Sequence, residues 1–115
     1  MDFRFRVVFL QESKDFLSSL DKKTRKKVLY NIWKARSTND KELLKKLRGE
    51  IWELRTLYDK RLVRLLAFWD KTDNEDSLVI STHGFIKKTG KTPRSEIEKA
   101  EKIRIKYFRE KKNSL

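Results

Sequence analysis

The chain has no cysteine and a single histidine, His83. The first absence excludes a disulfide framework and thiolate metal ligands, and the second excludes a histidine cluster for zinc. No apolar run approaches the roughly 20 residues that a bilayer-spanning helix needs. The opening stretch MDFRFRVVF alternates like a strand and lacks the apolar core of a signal peptide. Acidic residues are also scarce: 17 Asp+Glu against 30 Lys+Arg leave a formal charge of +13, far beyond what solubility requires. A domain with a pI near 10.1 most often meets a polyanion, nucleic acid ahead of an anionic membrane. The expectation is a cytoplasmic protein without metal, cofactor or membrane contact.

What is present suffices for one modest core. At 115 residues, 37% of them hydrophobic, the chain is read as a single domain spanning 1–115. Phe3, Phe5, Val7 and Phe9 alternate as one face of a strand. Phe16, Leu17 and Leu20 then recur at helical spacing, and Asp21 can cap a second helix striped by Val28, Leu29, Ile32 and Trp33. KELLKKL reads as a short helix or turn ending at Gly49. Three β-rich runs follow, divided by Asp59-Lys60 and by the polar TDNED, as in an antiparallel meander. After the basic loop IKKTGKTP, Thr92 caps a last helix with Pro93 at its first position, and residues 109–115 are expected to fray. The order β-α-α-β-β-β-α implies an α+β fold, a small antiparallel sheet with helices on one face.

A two-residue turn at Asp59-Lys60 sets the hairpin register: Tyr58 opposes Arg61, Leu57 opposes Leu62, and Arg55 opposes Arg64. One face then carries Trp52, Leu54, Val63, Leu65, Ala67 and Trp69. The other carries Glu53, Arg55, Leu57, Leu62, Arg64, Leu66 and Phe68. Arginines facing each other across a ladder repel unless an anion sits between them. Both could instead snorkel on a wet face. Glu53, diagonal to Arg64, offsets part of the repulsion. The strand ending near His83 returns toward Arg64, bringing the basic loop with it. KKTGKTP lacks the spacing of a nucleotide-binding P-loop.

The segments IWELR, RLLAF and HGFIKKTGKTPRSEIEKA, in this order on so basic a chain, resemble the RelE/ParE superfamily of bacterial toxins, in particular its HigB-like, phage-derived branch. The resemblance covers about residues 40–108. It implies a RelE-like fold and the toxin of a type II toxin–antitoxin pair, an endoribonuclease that cleaves mRNA on the translating ribosome. Its partners would be the ribosome, mRNA and a cognate helix-turn-helix antitoxin. The implied chemistry is metal-independent attack of the ribose 2′-OH on the adjacent phosphate, which leaves a cyclic phosphate and a 5′-OH. Matched residue by residue, Arg64 would stabilise the transition state and Arg55 would grip phosphate. Lys87 and Lys88 occupy positions of phosphate binding or acid/base work, and Lys91 belongs to the same basic segment.

The acid/base assignment stays open. His83 has the ordinary pKa for it. If His83 opposes Leu66 it joins the Arg64 face; if it opposes Leu65 it points into the core. Glu53 is a second candidate base, although its arginine neighbours suit it better to orienting them. Phe68, on the Arg64 face, is a candidate for stacking on a base. Lys22, Lys23, Arg25 and Lys26 read first as a solvated helix face and second as nonspecific phosphate contacts. Members of the same fold branch poison DNA gyrase, so a binding protein without catalysis is the rival reading.

Overall fold

The computed structural model describes residues 4–73, 78–87 and 90–114. Its elements are β1 (Arg6–Phe9), α1 (Gln11–Ser19), α2 (Lys22–Ser37), β2 (Leu44–Lys46), β3 (Trp52–Tyr58), β4 (Arg61–Asp70), β5 (Leu78–Ile86) and α3 (Arg94–Asn113). The class is α+β, as expected, with the strands in the order β1-β5-β4-β3-β2. Among the described residues no helix is long and apolar enough to cross a membrane.

The β3–β4 hairpin has the register read from its turn: Tyr58 pairs with Arg61, Leu57 with Leu62 and Arg55 with Arg64. Asp59 and Lys60 both adopt positive φ, 53° and 61°, the conformation of a tight turn whose twist matches that of the strands. The face carrying Leu54, Val63, Leu65 and Ala67 is buried beneath Leu17 and Leu20 of the first helical segment and Val28, Ile32 and Ala35 of α2. Asp21 caps α2, accepting from the Thr24 amide at 3.1 Å and the Thr24 hydroxyl at 2.6 Å. With Arg61 also bound, these contacts hold the Asp21 carboxyl down at about 2.

Four expectations are corrected. The sheet is mixed, because β1 lies parallel to β5 (Arg6 beside Leu78, Phe9 beside Ser81) and only the other pairings are antiparallel. KELLKKL opens as a turn over residues 41–43 but then supplies an edge strand that was not expected: Leu44 pairs with Leu54, Lys45 with Glu53 and Lys46 with Trp52. The helices do not share one face. α3 covers the opposite side, where Ala100, Ile97, Tyr107 and Phe108 pack on Leu66, Phe68 and Ile80. Nor does the C-terminus fray at 109, since α3 continues to Asn113. It is held there by Asp70, whose carboxylate accepts from the Tyr107 hydroxyl at 2.5 Å and the Lys111 ammonium at 2.8 Å. Burial alone would raise the Asp70 pKa, but bonds from Lys111, Tyr107 and Thr72 hold it well below the ordinary carboxylate range. Phe3, expected in the first strand, lies outside the described residues.

Along β5 the register slips by one residue. Leu66 pairs with His83, whereas its neighbour Ala67 pairs with Ser81, so Thr82 is extra. Such a bulge reverses which face the rest of the strand presents. Beyond it, His83 and Phe85 lie on the α3 side with Arg64, and Gly84 turns toward α1. There a Cβ on Gly84 would stand 2.3 Å from Phe16 and 2.7 Å from Leu65. Gly84→Ala is therefore expected to destabilise the fold by about 1–3 kcal/mol, the usual cost of overpacking, read as a lower urea midpoint at unchanged m-value.

Candidate functional site

The opposed arginines are not left to repel each other. Glu53, one diagonal step away on β3, places a single carboxylate oxygen, Oε1, 3.2 Å from Arg55 Nε and 3.5 Å from Arg64 Nη1. Its other oxygen accepts a short hydrogen bond from the Thr92 hydroxyl. That hydroxyl in turn accepts from Arg64 Nη1 at 2.7 Å, and Arg64 Nη2 donates to the Gly90 carbonyl at 2.6 Å. Arg64 is 2% exposed and Glu53 1%, so this chain of charges is removed from water. Burying an ion pair is tolerable only when the remaining donors and acceptors find partners. Here the loop ahead of α3 supplies them for both Nη groups of Arg64 and for the second oxygen of Glu53. Thr92 thus serves Arg64 and Glu53 rather than capping α3, whose N-cap position is Pro93 with no side-chain cap bond.

Among the described residues, three buried side-chain nitrogens have no hydrogen-bond partner: Arg55 Nε, Arg64 Nε and His83 Nε2. The Arg55–Glu53 contact is close enough for charge attraction without the alignment of a hydrogen bond. Two of the three atoms belong to the arginine pair. The two arginines line a cleft of about 430 Å³ whose walls carry six cations (Lys45, Lys46, Arg48, Arg55, Arg64 and Lys91) against one carboxylate, Glu53. On its far side a second hollow shares Arg55, Arg64 and Gly90 and adds Lys27 and Lys34 from α2. Such a surface concentrates positive potential around preplaced, rigidly held donors. It suits an anion with oxygens in several directions, as in a phosphodiester.

The other candidates are placed as follows. Lys91 lines the cleft, and Lys87 is exposed beside it, donating from Nζ to the Lys91 carbonyl at 3.3 Å. Lys88 lies outside the described residues. His83 does oppose Leu66 and so stands on the Arg64 face, but α3 encloses it. It is 3% exposed, with Nε2 3.6 Å from Glu96 and Nδ1 3.0 Å from the Thr82 hydroxyl, and it does not line the cleft. Phe68 is corrected: it is fully buried against Tyr107 and Phe108, with ring centres 5.2 Å and 5.5 Å away, and offers no face to a base. Lys22, Lys23 and Lys26 are exposed and Arg25 is partly covered, all in the opening turns of α2. That helix packs on the sheet face opposite Arg64, and the α2 cations that line a hollow together with the arginines are Lys27 and Lys34.

Sequence reasoning missed Lys45, Lys46 and Arg48, because a short apolar run between lysines carries no clear strand period. It also missed Thr92, whose position ahead of Pro93 and Glu96 matches a helix cap equally well.

Burial pushes the His83 pKa down and nearby Lys99 adds to this, with Glu96 and Glu12 opposing only in part. A depressed histidine leaves the unfolded chain binding the extra proton first, so stability is complete above about pH 6.5 and declines as pH falls below it. The urea midpoint is expected to drop from pH 7 toward pH 5, and His83→Gln should flatten that part of the curve. Glu53→Gln leaves two guanidinium groups facing each other without a counter-charge. It is expected to lower stability by about 3 kcal/mol or more, with millimolar phosphate restoring more stability to the variant than to the parent chain, both read by thermal melting.

The model of a family described as Phage derived protein Gp49-like (DUF891) matches residues 15–105, a span that includes every residue lining the arginine cleft. No curated protein matches the chain.

Proposed function

The chain belongs to the phage-derived Gp49-like family, and on that premise we propose that it is the toxin of a toxin–antitoxin pair. Its activity is that of a RelE/HigB-like endoribonuclease cutting mRNA on the translating ribosome, and its cytoplasmic inhibitor is a small helix-turn-helix antitoxin. The observation that carries this reading is the pair of opposed arginines, Arg64 buried and Arg55 partly exposed, lining a cleft of six cations.

In the proposed reaction the ribose 2′-oxygen bonds to the adjacent phosphorus and the bond from phosphorus to the 5′-oxygen breaks. The 2′-proton leaves to a base and the 5′-oxygen gains a proton, giving a 2′,3′-cyclic phosphate and a 5′-OH. Negative charge accumulates on the non-bridging oxygens on the way. Guanidinium groups held in advance stabilise that charge without having to reorganise. Arg64, clamped by Glu53, Thr92 and Gly90, is the fixed element, and Arg55, with 26% of its side chain exposed, is the one that substrate reaches first. Lys91 on the cleft wall and its neighbour Lys87 are the ammonium groups assigned to protonate the leaving oxygen. Glu53, with both oxygens engaged, acts as the orienter of the pair. His83, enclosed beneath α3, serves the packing of that helix.

Induced expression is expected to arrest growth and to produce discrete 5′ ends on cellular mRNA, mapped by primer extension, that vanish when translation is blocked. Arg64→Ala and Arg55→Ala should each reduce cleavage by about 100-fold or more, with circular dichroism showing the fold retained. Growth arrest without new RNA ends would overturn cleavage in favour of a binding protein, such as a gyrase poison. Full toxicity of folded Arg64→Ala would remove that arginine from the mechanism.

A further inference from the structure

At the end of the sheet away from the Asp59-Lys60 turn, Trp52 of β3 and Trp69 of β4 meet edge to face, their ring centres 6.1 Å apart at 84°. Trp69 is backed by Phe5 at 5.4 Å, which fixes its orientation. Both indoles are only partly buried, and with Phe108 they wall an open cleft of about 700 Å³. Lys46 and Lys71 stand on its rim. Both are exposed, and neither has an ion-pair partner among the described residues. Glu50 completes the rim.

An inorganic anion would use the lysines and leave the indoles idle. A purely apolar ligand would do the reverse. A nucleotide uses both, because its base stacks on aromatic surface while its phosphate pairs with ammonium groups. Glu50 adds an acceptor suited to the exocyclic amino group that adenine and cytosine carry. Lys46 also lines the Arg55/Arg64 cleft, so the two hollows meet at its side chain on the β2 edge, where a strand would pass from one face of the sheet to the other.

We propose that this strand-end cleft is a nucleobase subsite, stacking an unpaired base of the RNA strand whose phosphate lies at Arg55 and Arg64, with Lys46 between them. The proposal rests on the RNA-cleaving reading above, and its test separates the two. In a Trp33→Phe background, Trp52 and Trp69 are the remaining indoles and report on the cleft directly. Hexa-adenylate bearing 2′-O-methyl groups cannot be cut by 2′-oxygen attack and serves as the strand. Tripolyphosphate serves as a polyanion without bases. The strand is expected to quench indole emission and tripolyphosphate to leave it unchanged. Trp52→Leu and the exposed Lys71→Glu should each weaken hexa-adenylate binding about 5- to 100-fold, and Trp52→Leu should leave tripolyphosphate affinity as it was. Lys71→Glu keeps the test decisive if Trp52→Leu fails to fold. Strand binding without quenching, at equal affinity in the variants, overturns the subsite and leaves the RNA reading standing. No strand binding at low salt also overturns the subsite, while the RNA reading stands or falls by the primer-extension result above.

Discussion

One carboxylate oxygen organises the arginine site. Glu53 Oε1 lies within 3.5 Å of both arginines that the hairpin register forces together. Without it, the β3–β4 ladder would hold two guanidinium groups against each other, one of them almost wholly out of water. With it, the pair becomes a fixed positive surface whose repulsion is balanced internally. The balance is incomplete by design of the geometry: two cations share one anion, so the site keeps an excess positive charge that a ligand can complete. The same carboxylate fixes the loop ahead of α3 through Thr92. The start of that helix and the aim of Arg64 are therefore set by one group.

α3 is held at both ends by polar contacts and in its middle by apolar ones. Thr92 and Gly90 tie its approach to Arg64, Ala100 packs flush against the sheet, and Asp70 grips Tyr107 and Lys111 near the far end. The polar anchors specify position, which an apolar stripe on a regular helix leaves ambiguous by a turn. By covering Leu66 and Phe68, the helix leaves Arg64 to be approached from the two hollows beside it, the cleft at the β2 edge and the one shared with α2. What was expected to be an open, wet sheet face is largely covered, with its openings lined by cations.

The hairpin was legible in the sequence because two constraints coincide there. A two-residue turn admits one register, and alternation over the flanking strands agrees with it, so the Arg55–Arg64 pairing and the division of faces follow by counting. β1 and β5 were legible as strands but not as partners, since nothing local specifies a parallel pairing between opposite ends of a chain. β2 was illegible: three residues of strand are too few to display a period. The face of His83 was undetermined for a different reason. It turns on whether β5 carries an extra residue, and Thr82 is chemically ordinary in a strand. Thr92 was misassigned because the same Thr-Pro-Arg-Ser-Glu string satisfies a helix cap and a buried hydrogen-bond relay equally well.

The parallel pairing of β1 with β5 also orders events in time. During synthesis β1 emerges first, yet its only sheet neighbour is the last strand made, and the groups that clamp Arg64 follow that strand. The hairpin can form early from local contacts, whereas the first strand has no edge to join until β5 has been made. The arginine site is thus assembled late: a chain interrupted before residue 78 lacks the strand that β1 joins, and one interrupted before residue 90 still lacks the loop that aims its central guanidinium.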